Sequence, residues 1–394
     1  MRKVPKITSF EMHMVECQVS HTGLSPARVS KKADAVFTQE MFALKVNTDI
    51  GVSGEYVSPY VVEAAMLPQA LPLLIGYNAL ERENIYNQAK RHLKKALRTG
   101  LAAVDIVLWD LAGKYYNAPI YELLGGYRKR IPVYLSTTSG GKNGALKTPE
   151  EYADFAEQAL QLGYRGFKIH PWSSAAAPVD QHVAMIHAVG RRVGGKMDLM
   201  LDGSLQYETF ADTLKVARAC DEENFFWLED PMNDGGMSHY AAQKLRQLIK
   251  TPLLQGEYAH GVEQRMTYLT AGATDFIRGD VIQDGITATM KLAHAAEALG
   301  VDIEIHVGGP ETRHCIAAIR NTNYYEWGLL NPKIKRVSNP SAQCKEVHKE
   351  GHLDVTLDGI GKDGCVPVPE GPGLGVVYDW DFIKAHRTAV KVFK

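Results

Sequence analysis

Eight ionisable residues recur along the middle of the chain at a spacing that suits a single site: Lys168, His170, Asp202, Glu229, Glu257, Asp280, His306 and Glu326. From Lys168 to Asp202, Glu229, Glu257, Asp280, His306 and Glu326 the successive steps are 34, 27, 28, 23, 26 and 20 residues, each about the length of one β/α unit. Asp202, Glu229 and Glu257 are three carboxylates that would repel one another if they met, unless a hard dication neutralised them. Mg²⁺ suits such a set, because it takes a few carboxylates and leaves its other positions to water or substrate. Lys168 and His170 stand two apart, so strand alternation puts both on one face. There they can bind a carboxylate, and crowding is expected to lower both pKa values towards base function. Asp280 behind His306 would fix the imidazole tautomer and raise its basicity. Glu326 can donate a proton or hydrogen bond to a substrate carboxylate if its own pKa is raised. Together these groups suit removal of a proton α to a metal-bound carboxylate through an enediolate, followed by reprotonation or loss of a β-hydroxyl. Taken singly, each has a plainer reading: acids as helix caps or surface ion pairs, Lys168 on the surface, the histidines in the core.

What must position these residues is an alternation of short apolar runs and amphipathic helices. Eight runs are read: 131–135, 166–170, 198–202, 225–229, 253–257, 276–281, 302–307 and 324–327. Thr148-Pro149-Glu150-Glu151 reads as a capping box with proline at the first helical position. Tyr152, Phe155, Ala156, Ala159 and Leu160 then form a helical stripe that Gly163 ends. Phe210, Leu214 and Ala217 repeat the stripe, and Thr287–Leu299 is a further helix. The helix over 309–319 is short. Eight β runs with intervening helices predict a closed parallel (β/α)8-type barrel, whose functional groups gather at the C-terminal ends of the strands. An open doubly wound sheet is the alternative, but no Gly-x-Gly-x-x-Gly follows an early strand. Ahead of the barrel, residues 1–128 read as an α+β domain, with strands at 41–46 and 52–57 and helical stretches at 81–99 and 100–115. The segment 101–116 is broadly apolar and expected to be buried. The barrel is assigned to 129–345. Residues 346–394 are Gly/Pro-rich and expected to return and pack on the first zone.

Composition narrows the class. A formal net charge of −1 with 45% hydrophobic residues gives no reason to expect a nucleic-acid or anionic-membrane partner. No apolar run reaches the length of a membrane span, and the N-terminus lacks the apolar core of a secretory signal. Five cysteines without CxxC spacing suggest neither a disulfide framework nor a zinc site, but reduced buried thiols in a cytoplasmic protein.

The segments LAAVDIVLWDLAGKYYNAPIYELLGG (101–126), FKIH, LMLDGS, WLEDP, LQGE, RGD and EIHVGG resemble the enolase superfamily, mandelate racemase/muconate lactonizing enzyme family, over most of the chain. The resemblance implies a modified barrel under an α+β capping domain, with Asp202, Glu229 and Glu257 as Mg²⁺ ligands, Asp280–His306 as the catalytic dyad and Glu326 as the acid of the eighth strand. It implies specificity loops over the barrel mouth, here residues 18–31 and 51–59, and substrate contacts near Ser204. Two departures set the chain apart from mandelate-racemase-like members: Lys168-Ile169-His170 replaces Lys-x-Lys, and Asp202-Gly203-Ser204 replaces Asp-x-Asn. Members with a His–Asp dyad are most commonly acid-sugar dehydratases, so the expected reaction is elimination of water from an aldonate or aldarate to a 2-keto-3-deoxy acid. A racemase, epimerase or cycloisomerase using the same enediolate stays open, as does a non-catalytic binding protein. The expected partner is a small-molecule carboxylate, and an even-numbered homo-oligomer is a family-level expectation.

Overall fold

The computed structural model describes residues 3–19, 37–338, 344–351 and 353–394. Three antiparallel strands, β1 (Ile7–Val19), β2 (Phe37–Thr48) and β3 (Ser53–Ser58), open the chain. The first of them escapes a period-two reading. Phe10 and Met12 are buried on even positions, then Val15, Cys17 and Val19 on odd ones. The phase flips at a register shift between Met14 and Val15 against the last strand of the chain, as a β-bulge requires. That last strand, Arg387–Phe393, pairs with β1 and completes a four-stranded sheet. The C-terminal segment therefore ends as a strand of the first sheet, and it ties on elsewhere too. The Leu374 N–H donates to Asp110 Oδ1 at 3.0 Å, and Trp380 Nε1 to Glu55 Oε1 at 2.8 Å.

The apolar segment forms a helix over Leu101–Tyr116, buried from Leu101 to Gly113. It lies so close to β3 that a Cβ on Gly54 would sit 2.0 Å from the Val107 carbonyl oxygen, which only glycine permits. None of the described helices is long and apolar enough to cross a membrane.

The eight expected runs become β4 (Arg130–Thr137), β5 (Gly166–Ile169), β6 (Asp198–Asp202), β7 (Trp227–Glu229), β8 (Leu253–Gln255), β9 (Phe276–Gly279), β10 (Asp302–Ile305) and β11 (Tyr325–Leu330). All pair in parallel, in the order β10-β9-β8-β7-β6-β5-β4-β11, and the sheet curls into a (β/α)8-type barrel. At the β10–β11 seam side chains replace the ladder: Val307 N–H donates to Glu326 Oε2 at 3.2 Å, and the Tyr325 hydroxyl to the Gly308 carbonyl. Helix Pro149–Gln161 starts as the capping box predicts, with Thr148 Oγ1 accepting from Glu151 N–H at 3.2 Å. The Glu151 carboxylate reaches back one residue further than the motif implies, to Lys147 N–H at 2.8 Å.

Inside the barrel the layers differ in chemistry. Tyr134, Met200, Trp227 and Leu254 fill the lower part as an apolar plug. The Lys168 ammonium stands 5.5 Å above the Tyr134 ring, and the layer from there to the mouth is ionic. Hydrophobic burial fixes the base of the barrel and leaves the strand ends to carry charge.

Candidate active site

The three acids of consecutive strands meet. Asp202 and Glu229 end β6 and β7 as register partners, and Glu257 follows β8. Each offers an oxygen, and these oxygens lie within 4.8 Å of one another. Asp202 and Glu229 are buried, Glu257 partly so. Two cations lie against them. Lys168, wholly buried, has its Nζ 3.2 Å from Asp202 Oδ2, 3.1 Å from Glu229 Oε2 and 3.0 Å from Glu326 Oε1. Arg278, inward-facing on β9, holds Glu229 Oε1 at 2.7 Å and Glu326 Oε2 at 3.3 Å.

Two permanent cations against Asp202, Glu229, Glu257 and Glu326 leave the cluster short of positive charge. Glu229 registers the deficit: burial, with Asp202 and Glu257 beside it, pushes it up to about 7 although Arg278 and Lys168 pull the other way. An oxygen-lined cluster in that state fits a bound dication.

On the β9–β10 flank, His306 Nδ1 lies 3.0 Å from Asp280 Oδ2, and its Nε2 lies 3.8 Å from Glu257 Oε1. Asp280 is oriented by the Gln283 N–H, 2.9 Å from Oδ1. Burial disfavours the imidazolium, but Glu257 and Asp280 outweigh it and raise His306 to about 9. On the β4–β5 flank, His170 Nε2 lies 3.0 Å from Asp202 Oδ2. Its main chain is held on both sides: its N–H donates to Thr137 Oγ1 at 2.9 Å, and its carbonyl accepts from the Tyr152 hydroxyl at 2.6 Å.

A cavity of about 360 Å³ opens beside His306, Asp280 and Glu257. Tyr60, Glu63 and Thr99 of the N-terminal region form its roof.

Residues 151–382 match the enolase C-terminal domain-like family, and residues 14–125 the N-terminal domain of mandelate racemase / muconate lactonizing enzymes. The chain belongs to the enolase superfamily.

Within that superfamily it is similar to the crystal structure of a D-glucarate dehydratase from Agrobacterium tumefaciens complexed with magnesium. The two are 30% identical with a TM-score of 0.83, over 98% of this chain and 99% of that one. A D-galactarolactone cycloisomerase from Agrobacterium fabrum is 27% identical over 97% of this chain and 99% of its own. A D-xylonate dehydratase from Haloferax volcanii is 24% identical over 87% and 84%. This chain is an enolase-superfamily enzyme of the mandelate racemase/muconate lactonizing enzyme family, and its relatives include both dehydratases and isomerases.

Two electrostatic expectations need correction. Lys168 is not lowered towards a base. Burial acts in that direction, but the Glu229 and Glu326 carboxylates hold it well above its usual value. Glu326 does not hold a proton either: burial favours one, yet Lys168 and Arg278 drive its carboxyl far below the usual range. Ser136 Oγ, at 2.8 Å, and Val307 N–H donate to an acceptor, as an ionised Glu326 requires. Ser204 gives both its N–H (2.8 Å) and its hydroxyl (2.9 Å) to Asp202 Oδ1, which places it beside that acid at the mouth.

The expected specificity loops are 18–31 and 51–59. Only residues 18 and 19 of 18–31 lie within the described residues. Of 51–59, Ser53–Ser58 is strand β3, and the cavity wall is made by the residues that follow and by Leu97 and Thr99. The sequence reading passed over Arg278, although Arg278-Gly279-Asp280 has the same two-residue alternation as Lys168-Ile169-His170. It also passed over Glu63, the single charge in the apolar stretch Val61–Met66.

Proposed function

We propose that the protein is a Mg²⁺-dependent lyase that dehydrates a sugar acid to a 2-keto-3-deoxy acid. Asp202, Glu229 and Glu257 would hold the metal, which when bound supplies stabilisation of the negative charge developing on the substrate carboxylate. Lys168, permanently charged at the base of the site, attracts and orients that carboxylate. In its neutral form, whose share would rise once Glu257, the largest cause of its raised pKa, was neutralised by a metal, His306 would accept the α-proton at Nε2, with Asp280 fixing the tautomer through Nδ1 and stabilising the imidazolium formed. The imidazolium then returns its proton to the departing β-hydroxyl on the same face. Glu326 stays ionised and, with Arg278, holds Lys168 and Glu229 in place.

The observation that carries this reading is that the His306–Asp280 pair and Glu257 of the carboxylate triad border one cavity, while His170 is engaged with Asp202. One available base supports a one-face elimination more directly than a racemisation, which needs a base on each face. Cycloisomerisation is the second reading, favoured by the full-length similarity to a cycloisomerase. It uses the same α-proton chemistry without releasing a keto acid.

The deciding experiment is turnover of an aldonic and aldaric acid panel with Mg²⁺, followed by semicarbazide trapping. Keto-acid formation from at least one member is the expected result. Lactone interconversion or α-deuterium exchange in D₂O with no keto product would replace dehydration by isomerisation.

A further inference from the structure

Arg265 is buried where a helix stripe calls for an apolar residue. Helix Gly261–Thr270, which follows the Glu257 loop, buries Gly261, Arg265 and Tyr268, each about one turn from the next on a single face. Arg265 is 1% exposed, and a charge so placed must be matched by partners around it. Its planar fork meets three of them at once. Nε donates to the Gly256 carbonyl at 3.1 Å, Nη2 donates to Gln283 Oε1 at 2.6 Å, and Nη1 pairs with Asp284. Asp284 in turn accepts the Gly261 N–H at 2.8 Å, at the start of the same helix.

These partners lie on two segments of the site. The Gly256 carbonyl belongs to the peptide group that leads into Glu257, and the N–H of that same group donates to Asp230 Oδ2 at 3.2 Å. The peptide plane is thus held at both ends. Gly256 has a φ of +114°, and glycine's conformational freedom leaves the orientation of that plane to its partners. On the other segment, Gln283 gives its own N–H to Asp280 Oδ1 at 2.9 Å. One guanidinium therefore bridges the backbone ahead of Glu257 and the turn that carries Asp280.

We infer that Arg265 is a positioning residue that holds Glu257 and the His306–Asp280 pair in fixed relation, so that metal binding and proton transfer depend on the same side chain. The inference rests on the reading of Glu257 as a metal ligand and of His306–Asp280 as the base. Distance from the chemistry does not make such an effect small, since a displacement of about 1 Å can cost about 100-fold in rate.

The test sets Arg265→Lys beside Gln283→Met. Lysine keeps a charge for Asp284 and loses the fork, so the fold should survive, as read by circular dichroism and thermal unfolding. Calorimetric titration with Mg²⁺ alone should show about tenfold weaker binding for Arg265→Lys. Its kcat at saturating Mg²⁺, on whichever aldonic or aldaric acid the parent turns over fastest, should fall about tenfold or more. Gln283→Met removes only the arm towards Asp280, at a partly exposed position. It should lower kcat severalfold and leave Mg²⁺ affinity at the parent value. Parental Mg²⁺ affinity in Arg265→Lys, or a kcat fully restored by excess Mg²⁺, would overturn the inference while leaving the dehydration reading standing. Parental kcat in Gln283→Met would do the same, and this variant decides the matter if Arg265→Lys does not fold. A parent that neither binds Mg²⁺ nor turns over any of the acids would remove the dehydration reading and the inference together.

Discussion

On one flank of the carboxylate triad, His306 gives one ring nitrogen to Asp280 at 3.0 Å and presents the other towards a cavity, 3.8 Å from Glu257. On the opposite flank, His170 has its Nε2 3.0 Å from Asp202, and Lys168 is shared by Asp202, Glu229 and Glu326. In sequence the flanks look alike: a histidine and a second ionisable residue at strand ends. They differ in what the second residue is. An aspartate behind a histidine completes its charge balance and leaves the outer nitrogen available. A lysine beside a histidine leaves both to pair with acids from the neighbouring strands. Similar residue types thus give a histidine that faces a cavity on one side and a histidine and lysine held against acids on the other.

Four substitutions break or sharpen that contrast. The largest effect belongs to His306→Asn, which should lower kcat by up to about 10⁴-fold, with Asp280→Asn costing about 100-fold because the tautomer is no longer fixed. Rapid-quench or steady-state turnover at saturating Mg²⁺ measures both. A His170→Asn protein as inactive as His306→Asn would restore a two-base mechanism and erase the distinction between the flanks.

A smaller effect is expected from His170→Asn when it acts only through Asp202. Mg²⁺ affinity, read by titration calorimetry, should fall about tenfold, as for loss of a partner that orients a metal ligand. Turnover should recover at high Mg²⁺. Unchanged affinity would show that Asp202 needs no help from this side.

The smallest effect concerns the roof over the open flank. Glu63 is raised to about 8, against about 4.3 in an unfolded chain. A raised folded-state value means that its contribution to stability is complete below the unfolded value and is lost as pH rises from there through about 8. Glu63→Gln cannot titrate, so urea unfolding at pH 5 and pH 8.5 should show a smaller drop in stability for the variant than for the parent. Equal drops would mean that Glu63 is ionised and exposed to water at neutral pH.

Much of the site was legible because spacing carries geometry in a parallel barrel. Once each run is a strand and each interval a helix, every strand end faces the same mouth, and the eight residues from Lys168 to Glu326 are neighbours. Less legible was β1, whose bulge at Met14–Val15 shifts the apolar phase midway. Nor could the intervals name the cavity wall, because Tyr60, Glu63, Leu97 and Thr99 reach the mouth by packing of the N-terminal region and not by periodicity. Arg278 was missed for another reason. An arginine two residues before an aspartate reads as surface charge until burial at 0% exposure shows that it must have acids to meet.

The sequence alone determined the barrel, the order of its strands and the convergence of Asp202, Glu229 and Glu257, since local periodicity and chain length dictate all three. Tertiary structure decided the charge states: which cation lies against which acid, that Lys168 and Glu326 are both held ionised, and which histidine is left facing open space. Those outcomes depend on distances between side chains from different strands and on how much water reaches them. Neither quantity is written in the spacing of residues along the chain.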